Sequence, residues 1–187
     1  MKTGLLSLIC LVALVPLAVS ADELIQNGTF ENDTTGWTSE YSGGTWTVDA
    51  GQYDLDPDME GYAYKYDATF GRMYQTLDVA NPGVRFSAQA QLVAVELNPA
   101  ATYWAFAALE LQYLDAAGNY LGRTLIGYAT PHSSLSSSTT QHIITAVDSL
   151  WHSYQFNIQD ELVNLTGVSP SEVRKVKVAM LDTTNGC

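Results

Sequence analysis

Apolar and polar residues alternate along much of the chain. Val84, Phe86, Ala88, Ala90 and Leu92 take one side of an extended segment, and Arg85, Ser87, Gln89 and Gln91 the other. A period of two marks a half-buried strand. Comparable runs predict strands at Leu24–Glu31, Thr45–Asp49, Gly61–Tyr66, Arg72–Val79, Thr102–Leu114, Tyr120–Tyr128, Gln141–Val147, Trp151–Ile158 and Val173–Leu181. Turn formers punctuate them at Gly43-Gly44, Asp56-Pro57-Asp58, Asn81-Pro82-Gly83, Asn98-Pro99 and Ala117-Gly118-Asn119. Short strands at this spacing predict an all-β sandwich or barrel rather than βαβ units. Ser133–Thr140, rich in Ser and Thr, reads as a long loop. One helical turn is expected at Ser169–Glu172, with Ser169 as cap and Pro170 next. Trp37 and Trp151 are expected in the core.

The first residues follow a different pattern. Lys2 precedes a nearly unbroken apolar run from Leu5 to Val19, and Ser20-Ala21 then meets Asp22-Glu23. A basic start, an apolar stretch and small residues before acids describe a secretory signal peptide. Cleavage after Ala21 or after Ser20 fits equally well. The run is short for a membrane span. The expected organisation is therefore a signal peptide over 1–21 and one secreted domain over 22–187. Within that domain Cys187 is the sole cysteine, a free thiol, an intermolecular link or the mark of a longer chain.

Charge narrows the partners. With 20 Asp and Glu against 8 Lys and Arg, the formal net charge is −12. Nucleic acid, anionic membranes and acidic polysaccharides are disfavoured, because phosphate and carboxylate polymers need clustered basic side chains. Only Arg174, Lys175 and Lys177 lie close together. Neither a Gly-x-Ser-x-Gly elbow, a phosphate-binding loop nor a dinucleotide fingerprint occurs. His132, His142 and His152 lack ligand-type spacing. No pair of acids is singled out for glycosidase chemistry. The expectation is a protein that is not an enzyme.

The opening Leu24-Ile25-Gln26-Asn27-Gly28-Thr29-Phe30-Glu31, followed by Gly36-Trp37, resembles the start of the jelly-roll carbohydrate-binding modules of families four and nine. Met73–Val79, the Asp115–Asn119 hairpin, Trp151–Ile158 and Val173–Leu181 are similar to later strands and turns of those modules. The resemblance implies a galactose-binding-like β-sandwich jelly roll that docks neutral glycan on its concave sheet face. It also implies a structural calcium ion at Gly28 and Glu31, oxygen ligands suited to a hard cation. In such modules a last strand returns beside the first. Here the chain runs into Asp182-Thr183-Thr184-Asn185-Gly186-Cys187 at that point. A fragment, or an open edge beside Leu24–Glu31 able to pair with another chain, would follow.

Sugar recognition needs flat aromatic faces and planar polar groups. Trp104, Phe106, Glu110 and Gln112 share one side of a predicted strand, and Tyr62, Tyr64 and Tyr66 one side of another. The expected carbohydrate-binding residues are Trp104, Glu110, Gln112, Gln89 and Gln91, with Trp46 and Tyr64 behind them. Asp54, Asp56, Asp58 and Glu60 alternate like the start of a calcium loop, but Met59 and Lys65 occupy the positions where an EF-hand requires Gly and Glu. The alternative function is a structural or adhesive surface protein of the same fold, self-associating through an open sheet edge.

Overall fold

The computed structural model describes residues 23–54, 57–67, 69–96 and 102–185. The expected signal peptide, Asp56 and Cys187 lie outside the described residues. Among the described residues ten strands are present: β1 (Thr38–Ser42), β2 (Thr45–Gly51), β3 (Glu60–Tyr66), β4 (Thr69–Asp78), β5 (Arg85–Gln91), β6 (Ala105–Leu114), β7 (Tyr120–Ala129), β8 (Gln141–Thr145), β9 (Trp151–Asn157) and β10 (Lys175–Thr184). The one α-helical turn among the described residues, α1 (Ile158–Glu161), starts where Asn157 Oδ1 accepts from the Gln159 backbone N–H at 2.9 Å. The expected turn at Ser169 is a 3-10 turn over Pro170–Glu172, and the Ser169 side chain does not cap it. The chain is all-β.

Six strands form one sheet in the order β1-β4-β10-β6-β7-β8, antiparallel except for β7 with β8. Parallel neighbours need a crossover rather than a tight turn, and the Ser/Thr-rich loop supplies it. Its hydroxyls and carbonyls tie the return: Ser137 Oγ accepts from the Ile143 N–H at 3.0 Å, and Ser136 O from Gln141 Nε2 at 2.8 Å. The central strand β6 is covered on both sides. Its Ala107, Leu109, Leu111 and Tyr113 belong to the main core, while Phe106 and Ala108 join Leu125 and Leu181 in a smaller cluster on the opposite face.

Two separate strand pairs, β2–β3 and β5–β9, lie over the main core face. Phe86, Ala88 and Ala90 of β5, with Tyr154 and Phe156 of β9, pack against the β6 side chains. The β2–β3 pair is seated by Trp46, whose ring lies where a Cβ on Gly71 of β4 would stand 2.0 Å away.

One predicted strand is absent. Leu24–Glu31 folds as turns, because Asn27 (φ +50°) and Phe30 (φ +58°) take left-handed conformations that no ladder accepts. Asn27 organises the segment: its Nδ2 donates to Asp33 O at 2.7 Å and Thr35 O at 3.1 Å, and its Oδ1 accepts from the Asn32 N–H. Trp37 closes it, stacked on Phe30 at 5.2 Å and donating from Nε1 to Asn27 O. The open edge expected beside this segment therefore does not exist there; β1 and β8 end the six-stranded sheet.

Candidate functional site

Because the covering layer is in two pieces, a groove of about 1400 Å³ opens between them. Among the described residues β3 pairs with β2 alone and β5 with β9 alone. Consecutive residues of both parities from β3 and β5 line the groove, so each strand turns an edge toward it. Ala105, Ala107 and Leu109 of β6 and Met180, Asp182 and Thr184 of β10 contribute to the floor.

One wall is aromatic. Tyr62, Tyr64 and Tyr66 alternate with the inward Gly61, Ala63 and Lys65, so their rings share the outer side of β3 and reach the groove over its rim. Tyr53 stands 5.0 Å from Tyr62, and Tyr62 6.4 Å from Tyr64 with ring planes within 11°. All four tyrosines are exposed. Burial first, then the Asp49 carboxylate accepting its hydroxyl, holds Tyr53 above the ordinary phenol range; burial, then Tyr64 and Asp182, does so for Tyr62. Both hydroxyls keep their protons at neutral pH. The other wall carries Gln89, Gln91, Val93, Val95 and Trp151. Trp151, expected in the core, is 40% exposed; it begins β9 opposite Gln91, at the open end of its ladder.

Asp182 is the charged group of the floor. Its cross-strand partner on β6, Ala107, is small and lines the groove beside it, whereas the Trp46 ring fills the space over Gly71, its partner on β4. Burial pushes its pKa up to about 7, against the pull of the Lys65 backbone N–H that it accepts and of the Lys65 ammonium. Lys65 Nζ itself donates to Gly43 O at 2.6 Å and to Tyr66 O at 3.3 Å.

The sequence-derived site residues divide between the two faces of the large sheet. Tyr64, Gln89 and Gln91 line the groove; Gln89 and Gln91 are exposed, and Gln91 Nε2 donates to Ser149 O at 2.8 Å. Trp104, Glu110 and Gln112 lie together on the opposite face. There Glu110 has no solvent exposure and is held by Arg72 Nε at 2.7 Å and Arg123 Nη1 at 3.0 Å, with Gln112 Nε2 at 3.1 Å. Arg72 also reaches Glu40 at 2.7 Å. Trp104 packs against the Phe106 and Leu181 cluster. Trp46 lies beneath the β2–β3 pair, and its Nε1 donates to Ser39 Oγ at 2.6 Å.

Gly28 and Glu31 sit at one end of the groove with Asp54 and Asp58. The carbonyls of Asn27, Phe30 and Asn32 beside them already accept backbone hydrogen bonds. Among the described residues no group of three or more His, Cys, Asp or Glu side chains is placed to hold a metal ion. The three histidines are apart, each with its own acid: His132 with Glu96 at 2.8 Å, His142 with Glu161 at 2.5 Å and His152 with Asp148 at 2.7 Å.

Sequence reasoning passed over Asp182, Tyr53 and Trp151 as site residues. Asp182 had a readable signal: it continues the parity of Val176, Val178 and Met180, the core-facing side of β10. Tyr53 had none, since it lies outside any strand, in the connection from β2 to β3. Comparison with known family models and with curated proteins finds no match to this chain.

Proposed function

We propose that this chain is a secreted, non-catalytic carbohydrate-binding module of β-sandwich jelly-roll architecture, holding a neutral glycan in the groove between β3 and β5. The observation that carries this reading is the row of exposed, mutually packed tyrosines along one wall. Aromatic faces gain by covering the C–H face of a sugar ring, at about 150–250 Å² buried per side chain. Gln89 and Gln91 on the facing wall supply amide donors and acceptors for hydroxyls. At about 1400 Å³ the groove exceeds the roughly 300–1,000 Å³ of a small-molecule pocket, which suits an oligosaccharide. Binding is docking without bond making. Calcium enters only as a brace of the Gly28–Glu31 turn.

The test is a thermal melt against neutral hexasaccharides of β-linked glucose, xylose and mannose, with calcium and with chelator. A ligand at one hundred times its dissociation constant stabilises by about 2.7 kcal/mol. One sugar class should raise the melting temperature, and Tyr62→Ala/Tyr64→Ala should abolish the rise while still melting cooperatively. A melt indifferent to every sugar would sink the reading. Self-association is the second reading, and the edges of β3 and β5 that take no further strand among the described residues favour it; a mass by light scattering that stays above the monomer on dilution would move the assignment there.

A further inference from the structure

We infer that Asp182 is the hydroxyl-recognising anchor of the groove, accepting a pair of vicinal hydroxyls from a neutral sugar ring that rests against the tyrosine wall. The inference rests on the glycan reading and deepens it by naming the polar centre and the ligand chemistry.

Three observations lead to Asp182. It stands on the core-facing side of β10, yet at the groove floor with Met180, beyond the point where Val176 and Val178 are packed in the main core. Ala107, its small partner in register on β6, also lines the groove and leaves room on that side, while the Trp46 ring closes the space over Gly71 on the other. It accepts from the Lys65 backbone N–H on the groove-facing edge of β3. An ionised carboxylate has about four acceptor positions, so a ligand can still be received. Other charged and titratable groups lining the same groove are Glu60, Tyr62, Tyr64, Lys65 and Tyr66 from β3, with Glu31, Tyr53, Asp54 and Asp58. Tyr62 stays neutral, and the acids repel a second anion.

A carboxylate in a half-closed apolar groove has already lost much of its water on folding. Hydroxyl donors can then be accepted with little further desolvation. Two oxygens side by side match two hydroxyls on adjacent ring carbons, whereas a uronic acid would bring its own negative charge against Asp182. Hydrogen bonds to an ionised acceptor are roughly twice as strong as neutral ones. Because burial holds the group near neutrality, its charge state changes within the physiological range, and affinity should rise as the proton leaves.

The experiment is calorimetric titration of the full chain with the β-linked hexasaccharide that stabilises it best, from about pH 5.5 to about pH 8.5. Wild-type affinity should rise severalfold across this range. Asp182→Asn, which keeps shape and removes charge, should bind at least roughly tenfold more weakly at the upper pH and lose the slope. Equal binding by wild type and Asp182→Asn, or a flat wild-type profile, overturns the inference while leaving the glycan reading intact. If Asp182→Asn does not fold, the wild-type profile alone decides. Absence of any wild-type binding to the panel fails the glycan reading itself, and the anchor with it.

Discussion

Asp182 has a consequence for stability that is separate from binding. Its ordinary pKa is 3.8, and burial in the fold raises it to about 7. Between these values the folded chain holds a proton that the unfolded chain has released. Stability therefore falls as pH rises through this window and levels off above it. Three pKa units correspond to about 4 kcal/mol, and partial solvent access to the half-buried side chain reduces this to roughly 1–2 kcal/mol. Asp182→Asn should thus match wild type near pH 4 and exceed it by that amount at pH 8 in urea unfolding. A difference that does not change with pH would show that the carboxyl is not buried as described. A polar group that lowers stability at neutral pH is what a site, rather than a core, tolerates. Its parity on β10 was legible in the sequence, but the gap opposite it was not. Glu110 shows the converse: alternation placed it correctly beside Trp104 and Gln112, yet gave no sign that Arg72 and Arg123 would close over it, since those arginines come from β4 and β7.

The strands were legible wherever alternation was strong, as in β4, β5, β6 and β10. β1 escaped because Thr38–Ser42 is polar throughout, an edge strand with no buried face to write a pattern. Leu24–Glu31 misled because Asn27 supplies from its side chain the hydrogen bonds that a ladder would have supplied. Neighbour relations were not legible at all: alternation reports which side is buried and not which strand lies beside it, so the parallel β7–β8 pair and the split covering layer came only from the fold. At this scale the tyrosine wall depends on how β2–β3 is seated. Gly71 has an ordinary extended backbone in β4, so alanine there meets no conformational penalty, only the Trp46 ring at 2.0 Å. Trp46 would have to move, costing about 1–3 kcal/mol and tilting β3 away from the floor. Gly71→Ala should therefore redden tryptophan emission and weaken glycan binding more than it lowers the melting temperature, because β5–β9 keeps its own core. Unchanged emission with unchanged binding would show that the pair is not seated through this contact.

Over the whole molecule the charge of −12 is unevenly answered. Arg72 and Arg123 are committed to Glu110, Lys177 Nζ lies over the Tyr74 ring at 4.2 Å, and Lys175 is 3.5 Å from Asp78. The groove, by contrast, is lined by Glu31, Asp54, Asp58, Glu60 and Asp182, with Lys65 the one basic residue in its lining among the described residues. Its field is negative, which rejects anionic polymers and would attract cationic ones over distances that salt screens. In the proposed glycan reading, hydrogen bonds from neutral hydroxyls to Asp182 and stacking on tyrosine would act at contact and would not be screened. Two salt responses should then separate. Raising sodium chloride from about 50 mM to about 500 mM shortens the screening length from more than 10 Å to a few ångströms, which relieves self-repulsion and should raise the melting temperature. The dissociation constant for the neutral hexasaccharide should stay within about twofold, because no counterions are released. Affinity that fell steeply with salt would instead identify a cationic ligand and move the site's chemistry from hydroxyl recognition to charge pairing. Salt dependence of binding, measured beside salt dependence of stability, therefore tells whether the negative field of this fold recognises its ligand or only excludes the wrong ones.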